Sequence, residues 1–126
     1  MLPVTFEKEP GVEVGLINGM TPGSKEEWYF AVALWSFKLE FYYQVPIRGG
    51  RRLAGGRILD FLVFTPFPTP EPVMGSYWHS GKKADDDRLM LALLRDYYGV
   101  EPVPLWEHEL TSVKQAIETT REKLHL

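Results

Sequence analysis

The chain contains no cysteine, which excludes disulfides and thiolate zinc sites and leaves the compartment open. It also has no apolar run of membrane-spanning length, and Met1 to Pro10 lacks the apolar h-region of a signal peptide. A soluble, intracellular protein is the expectation. Strong charge of either sign is missing too: the net charge is −3 and the pI near 5.6, so any contact with a polyanion needs a local basic patch. No internal repeat, low-complexity tract or second domain is visible. What is present is a chain of 126 residues, 44% hydrophobic and 13% aromatic, enough for one domain around one core. The expected division is an arm over 1–23, a core over 24–110 and a C-terminal helix over 111–126.

The stretch that orients the rest is Gly75-Ser76-Tyr77-Trp78-His79, two large aromatics and an imidazole straight after a glycine. Upstream, RILDFLVF (Arg57 to Phe64) is a run interrupted only by Asp60. As a regular strand it places Ile58, Asp60, Leu62 and Phe64 on one face and Leu59, Phe61 and Val63 on the other. Both faces are apolar, so the strand should be buried. A carboxylate inside it costs several kcal/mol unless something cationic or hydrogen-bonding compensates. A metal site at the strand's end is the simplest compensation.

The first helix is expected from about Lys25 to Phe37, opened by Ser24 and Glu27 at capping-box spacing. LEFYYQV (Leu39 to Val45) alternates as a half-buried strand that Pro46 ends. Arg48, Arg51, Arg52 and Arg57 follow among four glycines, a locally basic hairpin suited to phosphate contacts. TPFPTPEP (Thr65 to Pro72) reads as a stiff turn outside any ladder. Val73 to Trp78 is then the third strand. After Lys82 and Lys83, Asp85 to Asp87 mark a helix N-terminus, and the helix carries Leu89, Met90, Leu93, Leu94 and Tyr97 inward before Gly99. Val100 to Trp106 is a strand whose Pro102 and Pro104 turn their missing donors the same way, hence irregular or at an edge. A final amphipathic helix uses Leu110, Val113, Ile117 and Leu124.

This order of elements, the lone Asp60, the G-x-aromatic-W-H of GSYWH and the closing VPLWEHEL resemble the restriction-endonuclease-like PD-(D/E)XK fold. More narrowly they are similar to the very short patch repair endonucleases and their phage-encoded EDxHD relatives. The resemblance covers roughly Ser24 to Leu110. It implies an α/β fold with an αβββαβ core, a mixed four-stranded sheet flanked by helices, and an extra C-terminal helix. It further implies a magnesium-dependent endodeoxyribonuclease, with manganese as a substitute ion, acting on DNA in a bacterial or phage-infected cytoplasm.

Carried over by position, the resemblance makes Asp60 the metal-binding carboxylate and a main-chain carbonyl at Val73 or Met74 a further ligand. It makes His79 the general acid or base, Glu27 the helix glutamate, and Asp86 or Asp87 the terminal acidic position. Tyr77 and Trp78 match aromatics that wedge into the base stack, while Arg48, Arg51, Arg52, Arg57, Lys82 and Lys83 would hold the DNA backbone. The acidic-lysine pair of the wider superfamily is replaced by Pro72 and Met74. Glu71 lies one place too early and on the opposite face of a regular strand. The structural zinc of the repair enzymes has no cysteines to bind it.

Blander readings stand beside these. Glu27 could serve only the capping box, Asp85 to Asp87 only the helix dipole, His79 a strand end, and Tyr77 and Trp78 the core. The hairpin could simply be solvated, and His108 and His125 read as surface residues. A nuclease fold kept as a non-catalytic DNA-binding or assembly module is the second functional hypothesis. A third is an unrelated binding protein in which Asp60 pairs with Arg57 or Arg48.

Overall fold

The computed structural model of the chain describes residues 2–8, 10–50, 56–75 and 81–126. Helix α1 (Lys25–Ser36) is followed by strands β1 (Phe41–Ile47), β2 (Arg57–Phe64), β3 (Pro68–Glu71) and β4 (Val73–Met74), helix α2 (Gly81–Tyr98), strand β5 (Leu105–Trp106), a 3-10 turn (Glu107–Glu109) and helix α3 (Val113–Lys123). The fold is mixed α/β, with its strands in two sheets: β1-β2-β3, antiparallel, and β4-β5, parallel. Parallel neighbours need a crossover, and α2 supplies it. Among the described residues no helix is long and apolar enough to cross a membrane.

The proline-rich segment corrects the sequence reading. Pro68–Glu71 is a strand, with Phe61 opposite Glu71 and Val63 opposite Thr69. Prolines at 68, 70 and 72 put every missing N–H on the same edge, because alternate residues of a strand bond to alternate sides. On that edge the prolines need only accept: Pro70 and Pro72 carbonyls receive Val103 N (3.0 Å) and Leu105 N (2.8 Å). Pro102 and Pro104 alternate with those two donors, as the sequence suggested. The same bonds show that the expected fourth strand is short and follows β3 and β4 in turn. Nor does Pro46 end β1, which runs on to Ile47.

Two apolar clusters cover the three-stranded sheet. Phe61 and Val63 of β2 join Phe41 and Tyr43 with Phe30 of α1 and Ala116 of α3, whereas Leu62 packs with Leu94 of α2. Leu59 also lies with Leu94, and Val45 goes with it although Tyr43 does not. Regular alternation would keep Leu59 with Phe61 and Val45 with Tyr43, so both strands rotate at one level, that of Gln44 and Asp60. Gln44 is left-handed, φ 58°, a conformation that costs a non-glycine residue about 1 kcal/mol or more. The expected face shared by Asp60 and Leu62 is therefore not formed: Asp60 sits where the strand turns over.

The helices depart from expectation mainly at their ends. Helix α2 begins at Gly81, so Asp85 to Asp87 lie in its second turn, and Leu89 and Tyr97 are exposed rather than inward. The 1–23 segment is no loose arm: Val4 and Ile17 are buried in the core and bridge each other, and Trp28 Nε1 donates to the Thr5 carbonyl. The segment's only ladder elements among the described residues are isolated bridges of Ile17 to Val4 and to Met20. Helix α3 starts after Leu110, with Ser112 Oγ accepting from Gln115 N at 3.1 Å. Ser112→Ala should therefore cost about 1 kcal/mol, read as a lowered urea midpoint with an unchanged m-value.

Candidate functional site

Where β2 turns over, the strand beside it also peels away. The register ends at Phe61 opposite Glu71, and the next β2-facing amide, that of Val73, is taken by a side chain. Val73 N donates to Asp60 Oδ2 at 2.9 Å. Asp60 thus stands in for a backbone carbonyl at the fork between β2 and β4, which fixes its carboxylate beside the main chain of Val73 and Met74. Its partner is an amide rather than Arg57 or Arg48, so the arginine-paired reading of a buried aspartate is not what the structure shows. Oδ1 receives no hydrogen bond among the described residues.

The first turn of α1 brings the second carboxylate. Ser24 caps the helix by accepting from Glu27 N at 3.2 Å. The reciprocal half of a capping box would have Glu27 accept from the Ser24 amide. Instead Glu27 Oε2 accepts from Ser24 Oγ (3.1 Å) and Oε1 from the Tyr43 hydroxyl (2.5 Å). Glu27 is thereby turned from its own helix end toward the sheet. Burial, then the bond to Glu27, pushes the Tyr43 phenol well above its ordinary pKa.

Asp60 feels the charge of Glu27. Burial raises the Asp60 carboxyl to about 6, the Val73 amide partly offsets this, and the Glu27 charge raises it further. The Asp60 carboxylate beside the Val73 main chain offers oxygen donors of the sort magnesium takes, since that ion keeps several waters and needs few protein ligands. A divalent cation would offset the burial that chiefly lifts the Asp60 pKa, and with it the smaller repulsion from Glu27. The residues present fit the ion that the family resemblance implies. Among the described residues no group of three or more histidine and acidic side chains is assembled as a metal cluster.

The other expected site residues divide. Asp87 is bound by Lys83 at 2.5 Å on α2, and the structure does not join either to Asp60. Arg57 and Lys82 line one groove of about 360 Å³ together with Asp86, Leu89, Met90 and Leu93. Arg48 is exposed at the start of the basic hairpin, in the left-handed region at φ 52°. The hairpin's far end is fixed by close approach: a Cβ on Gly56 would lie 1.9 Å from the Gly50 carbonyl oxygen. Arg51, Arg52, Tyr77, Trp78 and His79 fall outside the described residues, as does the Ser76 to Trp78 part of the expected third strand.

Two residues escaped the sequence reading. Tyr43 looked like one of several apolar strand positions, and nothing local announces its hydroxyl bond to a residue sixteen positions away. Glu71 is fully buried with neither carboxylate oxygen hydrogen-bonded among the described residues. Burial lifts it to about 8, opposed by the charge of Lys123. It lies opposite Phe61, apart from the Asp60 and Glu27 pair. A glutamate between two prolines reads as a turn residue unless the proline ladder is foreseen.

No family model, curated protein or solved structure matches the chain. Its functional reading therefore rests on its own residues and geometry.

Proposed function

We propose that the protein is a metal-dependent endodeoxyribonuclease with a restriction-endonuclease-like core, nicking or cutting duplex or branched DNA. The observation that carries this reading is Asp60, half-buried at the point where β2 and β4 diverge, with one oxygen bonded to the Val73 amide and within reach of the Glu27 charge. A carboxylate held there at the cost of desolvation has a use that a merely structural residue would not need.

In this reading Asp60 and a main-chain carbonyl of Val73 or Met74 would hold magnesium. When bound, that ion supplies charge neutralisation at the phosphate and polarises a water. Glu27, already oriented by two hydroxyl donors, accepts hydrogen bonds from water in the site. His79 moves the proton, a task its intrinsic pKa of about 6.5 suits near neutral pH. Arg57 and Lys82, on one groove, contact backbone phosphates, with Arg48, Arg51, Arg52 and Lys83 adding to the track. Tyr77 and Trp78 would lie against the bases next to the cut.

A supercoiled-plasmid assay with magnesium tests this, comparing the wild type with Asp60→Ala and His79→Ala. Nicking by the wild type that disappears in both variants is the expected result. DNA binding without any cleavage by the wild type would instead identify a non-catalytic binding module.

A further inference from the structure

We infer that Tyr43 is a positioning residue for this site, its hydroxyl holding the Glu27 carboxylate in place for a divalent cation bound at Asp60. The inference rests on the nuclease reading above and adds a residue to it. The geometry is a closed chain of bonds linking three segments. Gly23 N donates to the Tyr43 oxygen at 2.9 Å, and the Tyr43 hydroxyl donates to Glu27 Oε1 at 2.5 Å. Ser24 Oγ donates to Oε2 at 3.1 Å. A phenol has one proton to give, and the amide of Gly23 occupies its acceptor side, so that proton has one direction to point. Tyr43 can do this because its ring is locked in the core, with Phe61 at a centroid distance of 5.0 Å.

Gly23 belongs to the same device. A Cβ there would stand 3.0 Å from Glu27 Oε2 and 3.2 Å from Oε1. The carboxylate occupies the space a side chain would need. Ordinary helix capping explains Ser24 but neither the phenol nor this vacancy for the carboxylate. Both make sense if the position of Glu27 matters beyond its own helix.

The test is binding of manganese ion alone to the full chain, followed by its electron paramagnetic resonance signal, with cleavage measured separately. Tyr43→Phe should weaken manganese affinity about tenfold or more, the usual effect of losing a partner that orients a metal site. Glu27→Gln should weaken it at least as much. The double variant should be no worse than Glu27→Gln, since Tyr43 acts only through that carboxylate. Should Tyr43→Phe not fold, Gly23→Ala crowds the same carboxylate from outside the core, at 3.0 and 3.2 Å from its oxygens, and should weaken affinity in the same direction by a smaller factor. Asp60→Ala abolishing binding while Tyr43→Phe leaves it unchanged, or adds its full effect to Glu27→Gln, would overturn the role of Tyr43 and leave the nuclease reading standing. Manganese binding that ignores Asp60→Ala would overturn both.

Discussion

Asp60→Asn is expected to abolish magnesium-dependent nicking and, in the same molecule, to raise its melting temperature at neutral pH. The loss should reach about a thousandfold, because in the proposed reading Asp60 would anchor the cation, and losing such an anchor forfeits several kcal/mol of transition-state stabilisation at roughly tenfold per 1.4 kcal/mol. The gain follows from the proton balance. Unfolded, the group has its model value of 3.8; folded, burial holds it at about 6. Below the lower value both states are protonated and nothing is lost. Between the two the unfolded chain has already released its proton, so stability drains as pH rises, and the loss is complete above the folded value. Its upper limit is about 3 kcal/mol, reduced by the partial exposure of the side chain. Asparagine has no proton to lose and can still accept from the Val73 amide. Calorimetry at pH 4 and pH 7 checks this: the variant should match the wild type at the lower pH and melt several degrees higher at the other. A difference independent of pH would count against a buried, charged Asp60.

The second large effect has no connection to catalysis. Glu71→Gln should flatten the alkaline side of the stability profile. With its folded pKa raised from 4.5 to about 8, Glu71 stays protonated at neutral pH while the unfolded chain ionises. Its stability contribution is therefore intact below about pH 4.5 and is drained as pH rises through about 8. The ceiling is about 5 kcal/mol. Glutamine removes the titration yet leaves a buried polar group, so a gain of about 1 to 3 kcal/mol at pH 8 is expected. Glu71→Leu should gain at least as much, provided the buried space accepts it. Urea titrations at pH 5 and pH 8 separate the outcomes: the wild-type midpoint should fall between them, and the Glu71→Gln midpoint should stay nearly level. Nicking should survive both substitutions. A wild-type midpoint that rises with pH would mean Glu71 is ionised and paired in the folded protein.

The two acids contrast in use. Asp60 is compensated by an amide, has a carboxylate neighbour and lies at a strand fork, all features of a site. Glu71 is fully buried with no hydrogen bond to its carboxylate among the described residues and only the charge of Lys123 to oppose its shift. Its position follows from the proline ladder, which leaves one residue between Pro70 and Pro72 and puts a glutamate there.

Much was legible in the sequence wherever a local rule sufficed. The α1 boundaries followed from Ser24 and a long apolar run. The edge character of the 100–106 segment followed from two prolines at alternate positions. Asp60 stood out because a single charge in an apolar strand needs a partner whatever the fold, and composition alone barred disulfides and thiolate zinc. Tertiary structure decided the rest, because it depended on which strand lay next to which. Whether Pro68 to Glu71 was turn or ladder turned on its neighbours: β2 pairs with one edge, and the amides of Val103 and Leu105 reach the carbonyls of the proline edge. The face of Asp60 turned on a rotation shared by β1 and β2 at Gln44, which a period of two along one strand cannot register. Glu27 keeps its bonds to Ser24 but also takes a phenol from β1, a contact between segments that no spacing within the helix encodes.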